Sequence, residues 1–191
     1  MVPRQRPGVE RSEEEIMGIH RLNHVVLYVR DVARTTAFYT DVLDFRVTMA
    51  IPGRAAFLQA PDSTNDHDIG LFELGADAGS SPAGRSTVGM YHIAWEVATL
   101  TDLENAARRL VAAGALVGSS DHGTTKSLYA HDPDGLEFEV VWVVPAHLLD
   151  DAAVAANRVG TRPLDIAREK ARYGADTRGG LGISVPLGVT V

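Results

Sequence analysis

The sequence predicts an α+β fold built from two similar halves, and three observations lead to this prediction. Each half opens with a segment typical of a β-strand, at residues 22–29 and 91–97. A helical segment and three further strand candidates follow each opening strand. When the halves are overlaid, His24 aligns with His92, which gives a period of 68 residues. We therefore expect a duplicated unit of one strand, one helix and three strands.

In the first half, a helix is expected to begin after the N-cap residue Asp31, because its apolar residues recur on one side as far as Leu43. Short strands follow, separated by the dipeptide Pro52-Gly53 and by a polar loop. Their expected ranges are 46–51, 55–59 and 68–74.

In the second half, the capping box from Thr101 to Glu104 predicts a helix start, and Gly114 predicts its end. The run Asp132-Pro133-Asp134-Gly135 predicts a tight turn between two strands, since proline presets one backbone angle and glycine tolerates the last position. Along the strand after this turn, side chains alternate between an apolar face and a face that carries Glu137 and Glu139.

The composition excludes several classes of function. With 191 residues, 45% hydrophobic content and a net charge of −7, the chain is an ordinary globular protein without the basic face that nucleic acid requires. It has no cysteine, so disulfides, thiolate nucleophiles and iron–sulfur clusters are excluded. The absence of a long apolar run and of a signal peptide pattern predicts a cytoplasmic protein that does not bind membranes.

These patterns predict five parts of the chain. Residues 1–18 form an N-terminal arm with a short helix at 12–17, residues 19–75 the first unit, 76–89 a linker and 90–145 the second unit. Residues 146–191 form a C-terminal extension, with helices expected at 146–159 and 163–173.

Three residues together predict a metal site. His24 and His92 lie on the faces of their strands that are opposite the denser apolar sets, and Glu139 lies on the carboxylate face of a neighbouring strand. A single histidine of this kind is more often structural, but two equivalent histidines and one carboxylate form a 2-His-1-carboxylate triad. Such a triad leaves open positions on the metal and suits non-haem Fe(II).

From Ile19 to Pro145 these residues resemble the vicinal oxygen chelate superfamily of paired βαβββ modules, and within it the extradiol catechol dioxygenases. The resemblance includes a signature of His122, Leu128-Tyr129, Asp132-Pro133-Asp134-Gly135 and Glu139, with Ser120 departing from the usual form. It implies a curved mixed sheet around a metal cleft, with His24, His92 and Glu139 as ligands of Fe(II).

The same resemblance implies roles for three further residues. His67, which precedes an apolar strand in the first half, would be the acid–base group, since the pKa of imidazole lies near neutrality. His122 and Tyr129 would hydrogen-bond the substrate hydroxyl or a developing oxyanion. The substrates would be a small aromatic diol and O2, and the resemblance favours a homo-oligomer whose cleft closes within one chain or by exchange with a partner.

Two alternatives stay open. A glyoxalase-like or epimerase-like isomerase or lyase of the same superfamily would use Glu73 as a fourth ligand, but His67 and Glu73 are roughly 20 Å apart on one strand and cannot share a metal. His122 and Tyr129 also have no evident task in such an enzyme. The second alternative is a metal-free protein that sequesters a small molecule in an apolar cleft.

Overall fold

The computed structural model describes Gly18, residues 21–83 and residues 86–180. In this part of the chain, two strand–helix–three-strand units precede a C-terminal helical part. The predicted helix at 12–17, the arm apart from Gly18, and residues 181–191 of the predicted extension lie outside the described residues.

The first module forms one four-stranded mixed sheet and one helix. The strands follow the order β1-β4-β3-β2, with β1 parallel to β4 and the other neighbours antiparallel. The Asp31 carboxylate accepts the backbone N–H of Arg34, which confirms the predicted N-cap. The elements are β1 (Val25–Val29), α1 (Val32–Leu43), β2 (Arg46–Ile51), β3 (Ala55–Gln59) and β4 (Ile69–Glu73).

The second module repeats this topology, with the strand order β5-β8-β7-β6 and a parallel pair of β5 and β8. The predicted turn between β7 and β8 is confirmed, because the N–H of Gly135 donates to the carbonyl of Asp132 at 3.0 Å. The elements are β5 (Ile93–Glu96), α2 (Leu100–Ala112), β6 (Leu116–Asp121), β7 (Thr125–His131) and β8 (Glu137–Val143).

The start of α2 differs from the prediction, because Thr99 is the N-cap instead of Thr101. The Thr99 hydroxyl accepts the N–H of Asp102 at 3.1 Å, and Leu100 is then fully buried in the core. The Thr101 hydroxyl instead donates to Asp176 in the C-terminal part at 2.8 Å. Local sequence allows either Thr99 or Thr101 as the N-cap, and burial of Leu100 favours Thr99.

Each module has its own hydrophobic core, and the two cores meet at the same side chains. Phe38, Leu43 and Trp95 pack against both clusters. Phe138 of the second core packs edge-on against Phe38 of α1, with ring centroids 6.0 Å apart. The α+β class is confirmed, with the modules present as two four-stranded mixed sheets that join through these contacts.

The C-terminal part packs on the second module. It contains a short 3-10 helix (Ala146–Leu148), α3 (Asp151–Val159) and α4 (Ile166–Tyr173), close to the predicted helical ranges. Tyr173 lies against Trp142 with ring centroids 5.6 Å apart, and Lys170 forms a 2.9 Å ion pair with Glu104 of α2. No helix in the described part of the chain has both the length and the apolar character needed to cross a bilayer.

Candidate active site

Each sheet has one face that is covered by its helix and one that is open. In the first sheet, Leu27 and Val29 are buried, whereas Val26 and Tyr28 on the other face are 49% and 69% exposed. Pairing places Gly70 beside Val26, and Phe72 beside Tyr28, so these residues share the open face. The open face of the first module is therefore apolar and accessible.

The open face of the second sheet is polar. Glu139 pairs with Ala94 on one side and with Tyr129 on the other, so its side chain lies on the face opposite the buried Phe138 and Val140. The alternation expected from the sequence is thus confirmed, and Tyr129 and Glu139 are neighbours on one accessible surface.

His92 lies directly in front of Glu139. Its Nε2 is 3.2 Å from Oε2 of Glu139, and its side chain is about a quarter exposed. The His92 Nδ1 atom is buried without a hydrogen-bond partner and lies 3.9 Å from Oε1 of Glu137. Two of the three predicted metal ligands are therefore in contact, and Glu137 lies near them, as expected for a residue on the same face.

His122 and Tyr129 form a second pair on this side of the sheet. Nε2 of His122 is 2.9 Å from the Tyr129 hydroxyl, and the Tyr129 ring lies 5.9 Å from that of His92. Burial, together with the nearby charge of Glu139, raises the pKa of Tyr129 above its usual value. Tyr129 consequently keeps its proton at neutral pH and can donate a hydrogen bond.

His24 and His67 form a separate pair on the first module. Their ring centroids are 4.7 Å apart, and His24 is exposed with Nδ1 2.7 Å from the side-chain oxygen of Asn23. Nδ1 of His67 lies 2.9 Å from Asp66, and the hydrogen bond to His67 holds the pKa of that exposed carboxyl below its usual value. The carboxylate orients the His67 ring.

These two groups do not meet in one chain. Among residues 21–83 and 86–180, no three His, Asp, Glu or Cys side chains gather closely enough to hold a metal ion. His92 and Glu139 lie together, while His24 lies with His67 on the other module. Within the described residues of one chain, His24 is therefore not grouped with His92 and Glu139.

Glu73, the alternative ligand, lies on the covered face of the first sheet. It pairs with the buried Val29, and its Oε2 accepts the N–H of Val32 at the start of α1, at 3.2 Å. The Glu73 carboxylate therefore stabilises the N-terminus of α1. In the first sheet, the position that corresponds to Glu139 is Gly70, which has no side chain to offer.

A cavity of about 820 Å³ lies on the helical side of the module junction. Leu43, Phe45, Trp95 and Arg109 line it, and none of the six predicted site residues does. Since His92 and Glu139 are on the opposite, open face, we place the candidate site there on chemical grounds.

Asn23 and Asp66, the polar partners of His24 and His67, were not predicted from the sequence. Each immediately precedes its histidine in the sequence, and this adjacency was a usable signal. His131 and His147 are exposed, and His20 lies outside the described residues.

Comparisons with known proteins agree with this architecture. The model of the Glyoxalase/Bleomycin resistance protein/Dioxygenase superfamily matches residues 21–140. A crystal structure of a glyoxylase/bleomycin resistance protein/dioxygenase domain from Frankia sp. EAN1pec matches with a TM-score of 0.56 and 25% identity, over 70% of this chain and 97% of that one.

Two curated relatives carry dioxygenase names. "Metapyrocatechase 2" of Cupriavidus necator is 30% identical over 69% of this chain and 39% of its own length. "Biphenyl-2,3-diol 1,2-dioxygenase 3" of Rhodococcus globerulus is 35% identical over 60% of this chain and 59% of its own. The chain thus spans less than two thirds of either relative.

Proposed function

The chain belongs to the Glyoxalase/Bleomycin resistance protein/Dioxygenase superfamily, and we propose that it is an extradiol dioxygenase that cleaves the ring of a catechol-type substrate with O2. The names of the two curated relatives support this activity, although the chain spans only part of each. The described site residues add chemical support of their own.

The observation that carries the proposal is the difference between two equivalent positions. Glu139 contacts His92 on the open face of the second sheet, whereas the first sheet has Gly70 at that place. A site with two histidines and one carboxylate leaves coordination positions free for a diol and O2. A four-ligand isomerase would need a second carboxylate, and Glu73 starts from the covered face.

The proposed roles follow from the contacts. His24, His92 and Glu139 would hold Fe(II), which supplies the binding positions for the diol oxygens and O2 when it is present. Tyr129, protonated at neutral pH, and its partner His122 would donate hydrogen bonds to the substrate oxygens. His67, oriented by Asp66, would take a proton from the diol and return it later.

We further propose that the protein acts as a homo-oligomer in which the first module of one copy faces the second module of another. In one chain His24 is separated from His92 and Glu139, and the face around Val26 and Tyr28 is exposed and apolar. A second copy would cover this face and add His24 to the His92–Glu139 pair.

Mixing two inactive variants tests this arrangement. His24→Ala and Glu139→Ala chains should each be inactive, but chains mixed, dissociated and reassociated should regain about a quarter of wild-type turnover, because half of the pairs would contain one intact site. The same variants left unmixed are the control. No recovery in confirmed mixed dimers would show that each site forms within one chain.

The activity is tested by anaerobic reconstitution with Fe(II), followed by O2 and a panel of catechols, monitored for the yellow ring-opened product. Metal analysis of anaerobically purified protein runs in parallel. Stoichiometric iron and ring opening are expected. Bound Ni or Zn with isomerase activity would favour the four-ligand alternative, and binding of small molecules without any metal would favour sequestration.

A further inference from the structure

We propose that the C-terminal helix α4 positions His122, acting through Glu169 and the buried ammonium group of Lys126. This inference uses the proposed function only for the task of His122. The positioning itself follows from contacts among Asp121, Gly123, Lys126 and Glu169.

Lys126 has an unusual location for its charge. It lies on β7, on the same core-facing side of the strand as the buried Leu128 and Ala130. Its side chain is 0% exposed. Its Nζ lies 2.5 Å from Oδ1 of Asp121 and donates to the carbonyl of Gly123 at 3.1 Å. The ammonium group therefore binds the residues on both sides of His122, Asp121 through its carboxylate and Gly123 through its carbonyl.

Asp121 holds the same turn from its first residue. Its Oδ1 also accepts the N–H of Gly123 at 2.8 Å, and its backbone pairs with Arg162 of the C-terminal part in both directions. Burial opposes ionisation of Asp121, but hydrogen bonds from Lys126 and Gly123 and the nearby cations hold its pKa below the usual value. Asp121 is thus an anion at neutral pH.

Glu169 supplies the second negative charge from α4. It is 1% exposed, and its Oε2 lies 3.1 Å from Nζ of Lys126 in an ion pair without hydrogen-bond geometry. Its Oε1 accepts from Nε of Arg168 at 2.9 Å. Arg162 and Arg168 approach the other oxygen of Asp121 at 3.0 and 3.4 Å. A buried ammonium without such partners is strongly unfavourable, so the position of Lys126 depends on Glu169 as well as Asp121.

This turn determines the position of the His122 backbone and ring. The His122 N–H donates to the carbonyl of Thr125 at 3.0 Å, and the imidazole ring meets the Tyr129 hydroxyl on the open face. Tyr129 and Lys126 point to opposite faces of the same strand. The network therefore lies on the covered face of the sheet, while the His122 ring that it positions lies on the open face.

An apolar residue at position 126 would fill this core with no desolvation cost, and such replacements of buried ion pairs are often neutral or stabilising. Charged groups that bind specific carbonyl and amide groups of one turn instead define its geometry. This is the reason to assign the network a positioning role for His122.

Glu169→Gln is the test variant, and Glu104→Gln is the matched control, because it removes an ion pair between α2 and α4 that does not reach the turn. NMR of the full chain reports the imidazole signals of His122 and the exchange rate of the Gly123 amide. Glu169→Gln should move the His122 signals and speed Gly123 exchange about tenfold, and the control should change neither. If the proposed function holds, kcat falls about tenfold with KM within about twofold.

A second variant covers the case in which Glu169→Gln does not fold. Arg162→Ala removes a half-exposed partner of Asp121 and should cause a smaller change of the same kind. Unchanged His122 signals in a destabilised Glu169→Gln or Arg162→Ala protein would overturn the positioning role. If the His122 signals change in the variants but the wild-type protein itself has no ring-cleaving activity, the positioning role stands and the proposed function is rejected.

Discussion

The two modules share one strand order but differ in the chemistry of their open faces. In register, Gly70 of the first module corresponds to Glu139 of the second, and Phe57 corresponds to Tyr129. The first face is apolar and carries its histidines, His24 and His67, at one end. The second face combines imidazole, carboxylate and phenol groups.

This difference shows that one duplicated backbone can carry two chemically different surfaces. The pleat of each strand determines which positions reach the open face, and the backbone of both modules meets that requirement in the same way. A few side chains at equivalent positions then make the first face apolar, whereas the second carries imidazole, carboxylate and phenol groups. Variants at matched positions of the two modules test this difference.

The largest effect is expected from Glu139→Ala, because it removes the carboxylate that contacts His92. Metal analysis should find less than about a tenth of the wild-type iron, and turnover should fall by about a thousandfold or more. Gly70→Ala is the equivalent control, since a Cβ there would meet Val26 and Phe57 only at ordinary contact distances. Tightly bound iron in Glu139→Ala would contradict the ligand assignment.

Stability should depend on Phe138 because its ring packs against Phe38 and Tyr39 of the first module as well as its own core. Phe138→Ala should lower the free energy of unfolding by about 3–5 kcal/mol. The corresponding residue of the first module is Ile69, and Ile69→Val should cost about 1 kcal/mol. Chemical denaturation measures both. Equal small losses would mean that the junction contributes little.

Tyr129→Phe removes one hydroxyl from the polar open face of the second sheet and leaves the ring in place. We expect iron content to stay unchanged and turnover to fall about a hundredfold, because one hydrogen-bond donor to a developing charge is lost. Phe57→Tyr, at the matching position of the first module, should leave turnover within about twofold. A Tyr129→Phe enzyme with full turnover would remove this residue from the catalytic group.

The smallest effect concerns Asp132 at the turn after β7. Burial raises the pKa of its carboxyl, against the opposing hydrogen bonds from the N–H groups of Leu136 and Asp134. A raised pKa in the folded state favours folding below the unfolded pKa, and this contribution is lost as the pH rises through the folded pKa.

Asp132→Asn should therefore raise stability by about 1 kcal/mol at pH 7, and this gain should disappear near pH 3. Thermal unfolding from pH 3 to pH 8 measures the difference, with the exposed Asp62→Asn as the control. A gain that is constant across this range would show that ionisation of Asp132 is not its cause.

Local patterns in the sequence were enough to predict the order of strands and helices, the Asp31 cap and the turn from Asp132 to Gly135. They depend on side-chain alternation and on backbone preferences that act over a few residues. The start of α2 was less predictable, because two nearby threonines can cap the helix and the tertiary burial of Leu100 favours Thr99.

Periodicity and register are properties of neighbouring residues, so they are enough to predict the duplicated topology, the polar face of β8 and the candidate residues His24, His92 and Glu139. The folded chain was needed to show that His92 contacts Glu139 while His24 lies with His67, and that Lys126 is buried between Asp121 and Glu169. These contacts depend on how distant segments pack, and local spacing carries no information about that packing.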